Sequence, residues 1–198
     1  MKKGLYIILL VAFGSISASA QEDNYFSVQY SMGLGIGDMG DYNSAYSFRG
    51  AMLEWRKFVT PTVGVGIDVG WNTFYKKIPS DTYTRGNASL TGKQYRYQNT
   101  FPMLAVGNYY FSPGQKLRPF AGLGLGTMYN VRDTQMYVYS LEQDAWHFVM
   151  CPQAGILYEL GFSTQLYLGL KYNIGLQSGD FDKGQSYLAI NVGLAFGE

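Results

Sequence analysis

A chain of 198 residues has the length of one domain, and 47% hydrophobic against 15% charged residues excludes a disordered or strongly ionic polymer. The formal net charge of +1 supplies no global attraction toward polyanions, so no nucleic-acid partner is expected. Cys151 is the single cysteine, which excludes an intramolecular disulfide and leaves the fold to hold together without covalent staples.

The chain opens on Lys2 and Lys3, continues through the apolar run Leu5 to Phe13, and then turns to small residues ending in Ala18-Ser19-Ala20. Charged, apolar and small segments in that order, with an A-x-A end, form a cleavable secretory signal. The apolar run breaks at Gly14-Ser15, short of the roughly 20 residues that a membrane-spanning helix needs. Cleavage after Ala20 is expected, with residues 1–20 as the signal peptide and 21–198 as the exported domain. Farther on, Gly, Asn, Gln or a charge interrupts every apolar stretch, so a helical membrane protein is excluded. Export leaves the periplasm, the outer membrane or the medium.

From Gln21 onward the dominant period is two, which on a strand sends successive side chains to opposite faces. In the first strand Phe26, Val28, Tyr30, Met32, Leu34 and Ile36 alternate with Ser27, Gln29, Ser31, Gly33, Gly35 and Gly37. The second covers Tyr46 to Phe58, with Ala51, Leu53 and Trp55 opposing Gly50, Met52, Glu54 and Arg56. The third sets Val63, Val65, Ile67, Val69, Trp71 and Tyr75 against Gly64, Gly66, Asp68, Gly70, Asn72 and Lys76. Three less regular candidates follow, at Gln94 to Phe111, Arg118 to Asn130 and Trp146 to Tyr158. Pro102 and Pro152 fall inside two of them and predict a bulge, a strand end or a shifted boundary. In the fourth strand Phe101, Met103, Ala105, Tyr109 and Phe111 are assigned outward, which turns Arg96, Gln98 and Asn108 inward. The seventh sets Leu166, Leu168, Leu170, Tyr172, Ile174 and Leu176 against Tyr167, Gly169, Lys171, Asn173, Gly175 and Gln177. The eighth sets Leu188, Ile190, Val192, Leu194 and Phe196 against Tyr187, Ala189, Asn191, Gly193 and Ala195.

Short connections at Val59 to Thr62, Ser112 to Leu117 and around Glu159 to Gly161 alternate with longer polar ones at Asp38 to Ala45, Lys77 to Lys93, Val131 to Ala145 and Ser178 to Gly184. Outer-membrane barrels show this asymmetry, with short periplasmic turns and longer outer loops. The fold class predicted is therefore all-β, an eight-stranded antiparallel up-and-down transmembrane β-barrel. The polar face is mostly Gly with Ser, Asn and Gln, which suits a crowded interior rather than a solvated exterior. Trp71 and Tyr75 then fall at the outer membrane interface. Phe58, Tyr109, Phe111, Tyr158, Phe162 and Phe196 fall at the periplasmic one, and 17% aromatic residues populate such belts readily.

The segment Asn108-Tyr109-Tyr110-Phe111, followed by Arg118-Pro119-Phe120-Ala121-Gly122-Leu123-Gly124-Leu125-Gly126, resembles the turn-and-strand pattern of the outer-membrane β-barrel domain family. The wider plan is similar to small barrels of the OmpX type and to the OmpA membrane domain. The last strand, Tyr187 to Phe196, looks like the C-terminal signal read by the barrel-assembly machinery, departing in the Gly197-Glu198 that follow the aromatic residue. The resemblance implies outer-membrane lipids and lipopolysaccharide as surroundings, the assembly machinery as a transient partner, and a monomer. It specifies architecture; function does not transfer with fold.

Glu54, Arg56, Asp68, Arg96 and Lys171 all fall on lumen faces, where buried charges must pair, and an interior ion network is expected. Lys76, Lys77, Arg85 and Lys93 collect around the longest loop, where they suit contact with lipopolysaccharide phosphates. Tyr83, Asn87 and Tyr95 in the same loop equally suit an adhesive surface. Gly35-Ile36-Gly37-Asp38-Met39-Gly40 matches a dinucleotide pattern in letters, but a loop rather than a helix is predicted after it, so nucleotide binding is not expected. His147 is the one histidine, and His147-Phe148-Val149 lacks the His-x-Ser of the lipid A deacylases. Asp38-Met39-Gly40-Asp41 and Asp180-Phe181-Asp182 hold oxygen ligands without completing a metal loop. No metal or cofactor is expected.

Three function classes follow. First is a non-enzymatic envelope protein that stabilises the membrane or presents loops to an extracellular ligand. Second is a narrow channel for ions or small solutes. Third, and disfavoured, is a membrane-embedded lipid hydrolase.

Overall fold

The computed structural model describes residues 24–85, 88–136, 139–161, 163–179, 181 and 183–197, with side chains except at 81–85, 88–91 and 139. The signal-peptide reading of residues 1–20 falls outside the described residues. The alternation in the chain becomes backbone pairing in nine strands and one short helix: β1 (Asn24–Ile36), α1 (Asp38–Tyr42), β2 (Tyr46–Ser47), β3 (Gly50–Thr60), β4 (Val63–Arg85), β5 (Ala88–Tyr110), β6 (Leu117–Met136), β7 (Tyr139–Glu159), β8 (Thr164–Gly175) and β9 (Gln185–Gly197). Each long strand pairs antiparallel with its neighbours, and β1 pairs with β9, so the eight long strands close on themselves. The two-residue β2 continues the line of β3 beyond the break at Phe48-Arg49 and pairs with the end of β1.

One register line runs from Phe26 through Trp55, Ile67, Ala105, Leu125, Met150, Ile174 and Ser186 and meets β1 again at Ile36, about ten residues beyond its start. That stagger tilts the strands by about 40° and leaves an interior wide enough only for side chains. The exposure pattern is inverted relative to a soluble barrel. Val28, Leu53, Ile67, Val69, Leu123, Leu125, Leu168, Leu170 and Ile190 face outward and are exposed, whereas Ser27, Gln29, Ser31, Asn108, Asn173 and Asn191 are buried inside. Such a surface is stable only in hydrocarbon, and a closed barrel is the one sheet whose backbone groups are all satisfied there. This is a transmembrane β-barrel.

The structure corrects the sequence reading in three places. Lys77 to Lys93 and Val131 to Ala145 are not long loops. β4 and β5 stay paired up to Arg85↔Ala88, and β6 and β7 up to Met136↔Tyr139. Runs such as Ile78 to Thr84 and Val131 to Gln135 are rich in β-branched residues, so pairing continues past the membrane with a single register shift between Ile78 and Asp81. Pro102 and Pro152 mark neither a bulge nor an end. Each lies inside a continuous strand and interrupts the ladder on one side only. Pro102 still pairs with Met128, while the β4 ladder lapses between Val69↔Met103 and Asn72↔Thr100; Pro152 pairs with Leu123, while the β8 ladder lapses between Met150↔Ile174 and Gln153↔Lys171. The missing N–H removes one donor and the flanking pairs keep the register. Beside Pro152 the outer wall carries a shallow groove of about 230 Å³, lined by Ala154, Leu170, Tyr172 and Leu188.

The third correction concerns the segment after Gly37, which forms a single helical turn rather than a loop. Gly37 takes φ 60°, a left-handed conformation open to glycine, and the turn folds into the mouth of the barrel with Met39 fully buried. Gly40 packs on β1 so closely that a Cβ there would lie 2.8 Å from the carbonyl oxygen of Gly35. These glycines serve backbone approach, and the nucleotide pattern has no structural counterpart.

On β6, Leu125 lies halfway between Ala121, which pairs with Tyr109 of the lower aromatic belt, and Tyr129 of the upper one. Leu125→Arg is expected to cost about 2–4 kcal/mol, the midplane value for a lipid-facing cation. Reversible urea unfolding in lipid vesicles measures it; an effect below 1 kcal/mol, on the order of an interfacial substitution, would place this band outside the hydrocarbon.

Candidate functional site: the lumen and its outer mouth

The lumen is filled in layers. At the end bearing the short turns, Tyr25, Tyr110, Phe120, Leu157, Tyr167 and Ala195 form an apolar plug with Phe58 packed against it. Tyr110 lies 5.6 Å from Phe120, and Phe120 lies 5.6 Å from Tyr167, ring centre to ring centre. The rings come from near the starts of β1, β6 and β8 and the end of β5, where the strands converge on the turns.

Above the plug sits a square of four charges, each fully buried. Glu54 on β3 and Asp68 on β4 are direct cross-strand partners, a like-charge pair that is unfavourable alone. Arg56, two residues from Glu54 on the same face, reaches both carboxylates, at 3.3 Å to Glu54 and 2.7 Å to Asp68. The 2.7 Å contact lacks hydrogen-bond alignment, since neither Arg56 Nη2 nor Asp68 Oδ1 has a hydrogen-bond partner, so its attraction is Coulombic. Lys171 crosses from β8 on the far wall and donates to Asp68 at 2.6 Å and Glu54 at 3.1 Å. Tyr25 and Gln29 donate to the Glu54 oxygens at 2.6 Å and 3.1 Å. Two cations and two anions neutralise each other with no water-facing edge.

A second apolar layer of Phe74, Leu104, Val106, Met128, Val149, Cys151, Tyr187 and Ala189 lies above the square, and Met39 of α1 caps it. Cys151 is a buried wall residue of this layer. At the outer mouth the side chains become cationic and aromatic. Arg132 donates to Gln98 Oε1 at 3.2 Å and to Gln185 Oε1 at 2.5 Å, and its guanidinium lies 4.2 Å from the Tyr42 ring and 4.5 Å from that of Phe181. Arg96 donates to Gln94 Oε1 and to the Tyr42 carbonyl, 4.9 Å from the same Tyr42 ring. Phe181 is buried and meets His147 edge-on at 5.2 Å. His147 donates from Nδ1 to the Leu176 carbonyl at 2.7 Å, and its buried Nε2 has no partner among the described residues. Lys183 ties this loop to α1 through Asp38 at 2.9 Å, and that bond holds its ammonium above the ordinary lysine value.

Of the five charges placed in the lumen by sequence, four meet in the square and Arg96 does not. It stands two layers higher, because β5 runs well beyond Gln98 before turning. Arg132 was missed: it was assigned to a loop, although Gly122, Gly124, Gly126, Met128 and Asn130 point inward at even positions and extend the same face to 132. The four outer cations do not form one patch. Lys76 turns to the mouth and donates to Ser44 Oγ at 2.9 Å, Lys77 is exposed with its Nζ 5.9 Å from the Tyr95 ring, Lys93 stands exposed farther up β5, and the Arg85 side chain lies outside the described residues. Asp180 and Asp182 also lie outside them, and Asp38 is engaged by Lys183 rather than presented to a metal. Trp71, Tyr75, Tyr109, Phe111, Tyr158 and Phe196 are all exposed on the outer wall, whereas Phe58 packs on the plug and Phe162 lies outside the described residues. Tyr129 and Trp146, 5.0 Å apart, add to the upper belt.

No protein-family model and no curated protein matches the sequence. Solved structures do match the fold. Neisserial surface protein A aligns at a TM-score of 0.56 and 13% identity over 87% of this chain and 96% of its own. The outer-membrane protein OprG of Pseudomonas aeruginosa aligns at 0.54 and 11% over 89% and 96%. Ail, the attachment invasion locus protein of Yersinia pestis, aligns at 0.51 and 8% over 89% and 97%. The chain has the fold of the small eight-stranded outer-membrane β-barrels.

Lys171→Met leaves two carboxylates facing one cation in a sealed interior and is expected to destabilise the barrel by about 3–5 kcal/mol. In Lys171→Met/Asp68→Asn the remaining Arg56–Glu54 pair is neutral, and most of that loss is recovered. Urea unfolding of both variants tests the square; equal losses in the two would show that Lys171 acts by packing alone.

Proposed function

We propose that this chain is a non-conducting, non-enzymatic barrel of the outer membrane, reached after removal of residues 1–20, which presents a sheet above the membrane for recognition. The observation that carries the reading is the stacked lumen: an aromatic plug, a neutralised charge square and an apolar layer capped by Met39 leave each level occupied by buried side chains. A channel needs a continuous polar path, and two apolar layers interrupt it here.

The recognition part rests on unequal strand heights. β4, β5, β6 and β7 run to 23, 23, 20 and 21 residues, against 13 and 12 for β1 and β8. About ten residues cross a membrane in a tilted strand, so the four long strands continue as one upright wall. Its sides are open. Among the described residues, the last backbone bond to β4 on the β3 side is from Thr73 N–H to the Arg49 carbonyl, and the last to β7 on the β8 side is from Leu176 N–H to the Phe148 carbonyl. Unpaired strand edges add an extended peptide as a further strand. Lys77 and Lys93, diagonal neighbours on the outer face of β4 and β5, suit lipopolysaccharide phosphates.

In planar bilayers the wild-type chain is expected to give no steady single-channel current; a stable open level in KCl would overturn the sealed-lumen reading. Excising residues 79–93 and 134–141 should leave a folded barrel that retains heat-modifiable gel mobility. That shortened chain should lose the extended peptides selected on the full chain from a displayed library; equal binding by both would refute recognition at the wall.

A further inference from the structure

The protein treats its internal cations in two different ways. In the square, Arg56 and Lys171 are neutralised by the chain's own Glu54 and Asp68. At the mouth, Arg96 and Arg132 have only neutral acceptors among the described residues: the Gln94, Gln98 and Gln185 side chains and the Tyr42 carbonyl. The register pairs Arg96 with Thr134 and Gln98 with Arg132, so the two guanidiniums are diagonal neighbours on the inward face of β5 and β6. Both flank the Tyr42 ring, and both are half-buried rather than spread into solvent. Two like charges held this close repel, and cation–π contact offsets only part of that.

Among the described residues, the carboxylates of the mouth and the adjoining strands are engaged elsewhere. Asp38 is bound by Lys183, Asp133 by Gln135 and Ser140, and Asp144 by Tyr129. Directly below Arg132 on the same face, the Asn130 amide is fully buried and, among the described residues, neither of its ends is partnered, nor is the buried Nε2 of His147. With Nδ1 donating to Leu176, neutral His147 offers Nε2 as an acceptor. These groups bring to one inward face two forked cations, an amide donor and an acceptor suited to a P–OH proton.

We propose that the outer mouth binds one phosphate group, with Arg96 and Arg132 on its charged oxygens and Asn130 and His147 beneath. Charge-assisted, forked contacts from two guanidiniums match a tetrahedral di-oxyanion better than a single carboxylate, which one guanidinium satisfies. The phosphate is carried either by a dissolved solute or by a lipopolysaccharide headgroup bending over the rim. The site lies on the inward face of β5 and β6 at the foot of the wall, below the segments proposed for recognition, and does not depend on them.

The test uses the full exported chain in phosphatidylcholine nanodiscs with inorganic phosphate as the probe, followed by phosphorus NMR line broadening and titration calorimetry. Saturable binding is expected. Arg132→Gln and Arg96→Gln should each weaken it by about ten-fold, the scale of one charge-assisted hydrogen bond. Lys116→Gln, which removes a cation from a turn at the opposite end, should leave it unchanged. Heat-modifiable mobility checks that each variant is folded, and Arg96→Lys, which keeps the charge but not the fork, should retain part of the affinity. Phosphate binding that disappears in lipopolysaccharide nanodiscs and returns with dephosphorylated lipopolysaccharide assigns the site to the headgroup; binding retained in both assigns it to a solute. Absence of saturable binding in the wild type in phosphatidylcholine, or equal binding by the double arginine variant, overturns the proposal.

Discussion

Closure of β1 onto β9 is the constraint from which the rest follows. In hydrocarbon a sheet edge with free N–H and C=O groups has no partner, so the eight strands must complete a ring. Eight strands at this stagger enclose a space that side chains fill, and everything facing inward is forced into contact. Inward polar residues must therefore find one another. The square of Glu54, Arg56, Asp68 and Lys171 is the consequence: it joins two adjacent strands to the wall opposite.

The same closure divides the molecule by height. Within the membrane every strand has two neighbours and the interior is dense. Above it, the ring opens because β1, β3, β8 and β9 stop while β4 to β7 continue. A rigid base thus carries an open-edged wall, and α1 with the Phe181 loop folds inward to cap what the short strands leave uncovered. The Lys183–Asp38 pair joins these two lids across the mouth. Its side chains are 66% and 40% exposed, so screening by solvent limits it to a locating contact.

Within this frame the two cationic groups of the interior differ in kind. The lower one is a structural device, closed by internal carboxylates and by Tyr25 and Gln29. The upper one has, among the described residues, only neutral acceptors. The contrast arises from neighbours rather than from the arginines: β3 and β4 place acids beside Arg56, whereas Arg96 faces Lys76 and Thr134 and Arg132 faces Gln98 and Gln143.

The local alternation of side chains was enough to determine the strand class, the five regular strands, the outward apolar face and the inward placement of Glu54, Arg56, Asp68 and Lys171, because a period of two assigns faces without knowing what lies opposite. It also carried Gln98 and Asn108 correctly inward. What it could not supply was the height at which each strand stops, since polar, β-branched segments read alike as loops or as paired strands until a neighbour is present to bond them. For that reason the alternation alone places Arg132 in a loop, sets Arg96 among charges two layers below it and gathers Lys76 to Lys93 into one patch. Which inward residues meet depends on the stagger of about ten residues around the ring, a property of all eight pairings together and of no single segment. Sequence assigned each side chain its face; only closure of the barrel decided its partners.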